Sequence, residues 1–370
     1  MKEKSVFCSL IALCVFSVSA IVACRKKEGG EKRAAEREPK EIADKRGEIE
    51  QDFVDGFDTG EEKFVPGFPD IEGVEVEPDG RKVDLRLNLK KGQVIRMRMI
   101  NEQKIHQVIQ GMEQSMDQVI GMGITLDVKD VDDDGNAGIY ASYHWIKFTQ
   151  EGGPVSIVYD SDDPPAEIHP SAKMLAALKG NGFMMRVNPL GKVLSIKGAE
   201  EMLKNAMEKA DLPPGPETDA IKQNLAQQFS DEALKKNWEN MMAFYPDEPV
   251  GVGGRWNIKG EGAGAFSMTL YNAYVMEKLE KDTAVLRVES TLITGGNGEP
   301  IRVGAMEMKH SLKGRQRGTI HLDLETGFTR SAEMTQNISG TIEMDVGGGK
   351  IIKWPIKIKT KVKMIPEPEK

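Results

Sequence analysis

The sequence predicts an α+β fold that is mainly β, with long antiparallel strands and a helical insert at about residues 171–245. Three observations predict it. From Val83 onward, apolar residues recur with period two in segment after segment, as strands with one dry and one wet face require. In the middle of the chain that period gives way to apolar stripes at helical spacing. The order of long strands, polar turn and Gly-bearing hairpin then recurs on both sides of the helical stretch, which raises two halves related by duplication.

In "VDLRLNL", Val83, Leu85, Leu87 and Leu89 share one face. "KKG" turns the chain, and Ile95, Met97 and Met99 alternate with Arg96 and Arg98. "ITLDVKDV" and "IYASYHW" continue the pattern on either side of a DDDGNA turn, and Asn188-Pro189-Leu190-Gly191 makes a further hairpin. "SAKMLAALKG" reads as a short helix closed by Gly180. "AEEMLKNAMEKA" carries Met202, Leu203, Ala206, Met207 and Ala210 on one stripe. Ile221, Leu225 and Phe229 line up next, and Ser230 is an N-cap for a helix bearing Leu234, Trp238, Met241 and Met242. Strands resume at Arg255-Trp256, "TIHLDLETGFTRSAEM" forms a clear hairpin, and "WPIKIKTKVKM" sets Ile and Val against a row of lysines. That row reads as the wet side of an edge strand guarded against pairing with other chains, with contact to anionic lipid as the alternative.

A net charge of −8 and a pI near 5.4 exclude a general nucleic-acid binder, which needs a basic surface. All three cysteines, Cys8, Cys14 and Cys24, lie near the amino terminus, so the body has no thiol chemistry of its own. Lys2 and Lys4 precede an uncharged stretch from Ser5 to Ala23, which ends in Ile21-Val22-Ala23 before Cys24. A positive start, an apolar run and a small residue before the cut make a secretory signal. A transmembrane helix competes, but it would put Arg25-Lys26-Lys27 on the translocated side. The segment after Cys24 is dense in charge and reads as a tether. The domain reading is therefore a signal over residues 1–23, a tether over 24–65 and a β domain over 66–370.

Aliphatic, small, small, Cys resembles the lipobox of bacterial lipoproteins. The resemblance implies that Cys24 becomes the first mature residue and carries the acyl anchor to the membrane. Arg25 after it resembles outer-membrane sorting, which implies an extracytoplasmic chain on the periplasmic face. "LKKGQVIRMRM", the DDDGNA turn, "FMMRVNPLGKVLSIKG", "VGGRW" and "LDLETGFTRS" are similar to an uncharacterised family of secreted bacterial lipoproteins. That resemblance implies a curved half-barrel closed by helices, similar to periplasmic carriers of lipids and lipoproteins, and supplies no catalytic residue.

Asp130, Asp132 and Asp134 open like a calcium loop, but Ala141 stands where the closing Glu belongs, so they read as turn residues and only weak metal candidates. The histidines are scattered, and no nucleophile elbow, Walker loop or S-x-x-K is present. No cofactor is called for. The leading expectation is a non-catalytic, membrane-anchored lipoprotein with a hydrophobic ligand in a groove lined by Met97, Met99, Met202, Met207, Met241 and Met242. The alternatives are a structural module binding another envelope protein, and a hydrolase of envelope polymers.

Overall fold

The computed structural model describes residues 64, 66–75, 80–152, 156–212, 214–215, 218–219, 222, 225–226, 229–242, 244–262, 268–294, 301–303, 306–345 and 351–367. The expected signal, Cys24 and nearly all of the expected tether lie outside them. One 13-stranded antiparallel sheet dominates. Its first half is β1 (Val94–Ile109), β2 (Met112–Val131), β3 (Ala137–Glu151), β4 (Ile157–Asp160), β5 (Gly182–Val187) and β6 (Val193–Lys197). Its second half is β7 (Arg255–Gly262), β8 (Met268–Leu279), β9 (Thr283–Thr294), β10 (Ile301–Val303), β11 (Met306–Asp323), β12 (Thr329–Asp345) and β13 (Ile351–Pro366). Three helices are described between β4 and β7: α1 (Pro170–Leu178), α2 (Ala199–Ala210) and α3 (Asp231–Met242).

Each half is a meander, and the two join through β1 and β13, giving the order β6-β5-β3-β2-β1-β13-β12-β11-β9-β8-β7. Flat, eleven strands would spread over about 48 Å. Yet α3, about 18 Å long at helical rise, lies against both edge strands, β6 and β7. The sheet is therefore curled, and α3 fills the gap where its edges fail to meet. Ser230 caps this helix as its sequence suggests, its Oγ accepting from Ala233 N at 3.1 Å. Leu234, Trp238 and Met242 turn inward, and Trp238 meets the Phe183 ring edge-on at 6.3 Å. Ile221 of the preceding stripe lies outside the described residues.

Two expectations are corrected. Val83 to Leu89 keeps its alternation, with Leu85, Leu87 and Leu89 buried, but it forms no ladder beyond a single bridge from Val83 to Val250. Instead Leu87 N donates to Pro189 O at 2.8 Å and Asn88 N to Thr326 O at 2.8 Å. The segment thus crosses one end of the curled sheet, tying the β5–β6 turn, the β11–β12 turn and the approach to β7. Period two reports an extended chain with one buried face; it does not report hydrogen-bonded neighbours. The lysine-bearing strand is likewise no edge. β13 pairs with β1 on one side and β12 on the other, so its lysines stand on the outer face at the middle of the sheet.

Candidate functional site

Strand pleat sends alternate residues to the two faces. On β1, β2, β8, β9, β12 and β13, and on β11 from Met308 onward, the inward phase carries no Lys, Arg, Asp or Glu from Met97 to Gln107, Gln114 to Val128, Met268 to Met276, Ala284 to Thr294, Met308 to Leu322, Ala332 to Met344 and Ile352 to Met364. It is buried almost throughout, for example at Ile120, Leu126, Leu286, Ile338 and Ile358. The outward phase holds the charges, among them Lys104, Lys357, Lys359, Glu333 and Arg317. A sheet with one charge-free face, curled so that this face turns inward, makes an apolar wall.

Methionine is prominent on that wall. Met97, Met116, Met122, Met334, Met344 and Met364 all project inward and are buried; unbranched thioethers of this kind suit an adaptable apolar surface. The structure places the expected groove residues in two groups. Met97 and Met99 lie on the wall, on β1. Met202 and Met242 are buried, and Met207 and Met241 half-buried, on α2 and α3, which pack against β5, β6 and β7.

Sequence reading missed a row of polar side chains that crosses the wall at one level. Register sets Gln150 of β3 beside Gln118 of β2, Gln118 beside Gln103 of β1, and Gln103 beside Thr360 of β13. The row continues through Gln336 of β12, Gln316 of β11, Ser290 of β9 and Asn272 of β8. Apart from Gln150 these are at most 4% exposed. Some are paired: Gln336 Nε2 donates to Gln316 Oε1 at 3.2 Å, and Ser290 Oγ to Asn272 Oδ1 at 2.6 Å. The flanking levels are mainly apolar, with Ile120, Val362, Met334 and Val288 on one side and Met116, Ile105, Ile358 and Leu292 on the other. Each buried polar group left without a partner costs about 1–3 kcal/mol, so a row of them is not neutral filler. The available signal was polar residues set in the apolar phase of each strand; only register shows that one from each strand coincides at a single level.

The aspartates expected at a turn do form one. Asp132 Oδ1 accepts from Asp134 N at 3.1 Å and Asn136 N at 2.8 Å. Arg186 pairs with Asp130, and with Asp132 at 3.0 Å, so a guanidinium already stands where a cation would bind. Among the described residues, no group of three or more His, Cys, Asp or Glu is placed to hold a metal ion.

A second polar cluster lies on the outer face. Thr125 Oγ1 and His144 Nδ1 are 2.9 Å apart, and His144 Nε2 bonds Glu367. Arg98 reaches Glu367, donates to Asp162 Oδ2 at 2.8 Å and lies over the Trp145 ring at 4.3 Å. With Nε2–H donating to the carboxylate, Nδ1 accepts from the threonine. The order resembles a nucleophile, base and orienting acid. Burial, however, depresses the His144 pKa, outweighing the hydrogen bond to Glu367 that raises it. That weakens the base, opposite to what activating a hydroxyl demands. The cluster instead fastens the end of the chain to β1 and β3, with Glu367 N donating to Arg96 O at 3.0 Å.

This clasp predicts a pH dependence. A histidine depressed below 6.5 binds its proton more readily when unfolded, so stability falls as pH drops through that value. Burial raises the Glu367 pKa, but bonds from Arg98 and His144 outweigh it and hold the carboxyl below 4.5, adding loss of the same sign at lower pH. The melting temperature should decline from pH 7.5 to 5.5, and His144→Gln should flatten that slope. An unchanged slope in the variant would show that other groups set it.

Among solved structures, the fold is similar to that in "Lipid-protein interactions in lipovitellin", at 9% identity over 75% of this chain, with a TM-score of 0.40. This chain spans only 25% of that one. DynF from the dynemicin biosynthesis pathway of Micromonospora chersina gives 7% identity, covering 82% of this chain and 92% of that one, with a TM-score of 0.16. Pseudomonas aeruginosa OccK11 gives 6% identity, covering 77% and 99%, with a TM-score of 0.18. No curated protein sequence matches. Residues 134–329 match the model of a family of unknown function, DUF6263, and this chain belongs to that family.

Proposed function

We propose that this protein is a non-catalytic lipoprotein of the bacterial envelope that binds a hydrophobic ligand against the inner face of its curled sheet. The observation that carries this reading is the charge-free, methionine-bearing inward face, set inside an outer face that holds the charges. Flexible apolar walls of this kind accommodate ligands of varied shape. The lipobox-like Ile21-Val22-Ala23-Cys24 supports an anchor at Cys24, with the body held in the extracytoplasmic space. Association of the chain with the membrane fraction should be lost in Cys24→Ser; retention would point to the uncleaved helix instead.

Titrating the full chain with a fluorescent sixteen-carbon alkyl probe should give saturable binding that unlabelled lipid reverses. A linear, non-saturable signal would contradict the reading. The alternative, a module that docks another envelope protein, would use the outer face, where Lys357, Lys359, Lys361 and Lys363 form a row at mid-sheet. It predicts no saturable probe binding, and a crosslinked partner that Lys357→Glu and Lys359→Glu together release.

A further inference from the structure

The polar row breaks its own ladder at the centre of the sheet. Gln118 is 1% exposed and Thr360 3%, and among the described residues neither amide atom of Gln118 nor the hydroxyl of Thr360 has a hydrogen-bond partner. Asn101, one inward step along β1 from Gln103, is 1% exposed and likewise unpartnered at both amide atoms. Gln118 on β2 and Thr360 on β13 face Gln103 of β1 from its two sides, and Asn101, also on β1, faces Ile120 and Val362 one level away. Elsewhere the row is self-satisfied, as between Gln336 and Gln316. An internal amide ladder explains the paired stretch and leaves the central gap unexplained, since buried donors and acceptors are normally matched.

We infer that this central gap is the recognition element of the ligand site, and that it takes the uncharged polar linkage of a neutral acyl lipid: an ester with its neighbouring hydroxyl. The inference rests on the hydrophobic-ligand reading above. Three features of the wall define the ligand class. Amide and hydroxyl groups both donate and accept, as an ester carbonyl next to a hydroxyl requires. No inward position on these strands carries a charge, so an ionised headgroup would be buried without a counter-ion. Apolar levels lie on both sides of the row, with Val362 and Met364 one way and Ile358 and Ile356 the other. At about 6.7 Å for each pair of strand residues, the linkage is seated well inside the wall and the acyl segments run along it. The row therefore fixes how deep the ligand sits.

The test compares the full chain with a Gln118→Met, Thr360→Val double variant, using 1,2-dioleoylglycerol and octadecene to displace the fluorescent alkyl probe. The wild type should favour dioleoylglycerol over octadecene by at least about tenfold, as sites built to hydrogen-bond a ligand discriminate against analogues lacking the group. In the variant that ratio should fall to near one, octadecene binding should persist, and the melting temperature should not drop. If the variant keeps the wild-type ratio, the inference fails while the hydrophobic-ligand reading stands. If the variant melts lower with its ratio unchanged, the row is a structural ladder. Failure of both ligands to displace the probe from the wild type would remove the ligand reading and this inference with it.

Discussion

Replacing Gly327 with alanine is expected to lower the unfolding free energy by about 2–5 kcal/mol. Gly327 ends the β11–β12 turn at φ +68°, where an L side chain is strained, and a Cβ there would collide with Arg86 O. That contact is with backbone, so no rotamer change relieves it. The turn is also pinned from within, with Gly327 N donating to Asp323 O at 2.8 Å and Tyr245 Oη to Gly327 O at 2.7 Å. The clash must push away the segment that carries Leu85, Leu87 and Leu89 across the end of the curled sheet. Gly111 is the control. It sits at φ +82° in the β1–β2 turn, and a Cβ added there would meet nothing within 4 Å, so Gly111→Ala should cost only about 1–2 kcal/mol. Denaturant unfolding of the two variants measures the difference, and equal losses would mean that the end segment is not held against the turn.

Trp354→Ala is the second large effect, expected at about 3–5 kcal/mol. Trp354 lies on β13, the strand through which the two meanders join, and is 2% exposed. Its Nε1 donates to Gln107 Oε1 of β1 at 3.3 Å, across that join. Truncation would leave a cavity and an orphaned amide together. Trp354→Phe keeps most of the volume and loses the hydrogen bond, so it should cost about 1–3 kcal/mol. A small loss for alanine would show that the wall collapses easily around the gap.

The helices and hairpins were the legible part of this fold, because their signals are local. Ser230 as a cap, Gly180 after α1 and the Asn188–Gly191 turn all follow from chemistry within a few residues. The long strands β1, β2 and β11 were only partly legible. Their inward positions include Asn101, Gln103, Gln107, Gln114, Gln118, Gly314, Gln316 and Gly318, which erase the alternation of apolar and polar residues. The polar row thus concealed the strands that carry it. The central place of β13 was beyond local reading, since it depends on pairing with β1 roughly the whole length of the domain away in sequence. The apolar wall could be anticipated from Met97 and Met99, while Met202, Met207, Met241 and Met242 lie on helices that pack against β5, β6 and β7.

Native mass spectrometry of the gently purified full chain tests the central claim most directly. Collisional activation separates a covalent anchor from a ligand held only by contacts. A hydrophobic ligand bound to the inner face predicts added mass that dissociates on activation and fragments as lipid, beyond any mass that stays attached at Cys24. A chain that sheds nothing on activation, and takes up no mass after incubation with envelope lipids, would contradict it.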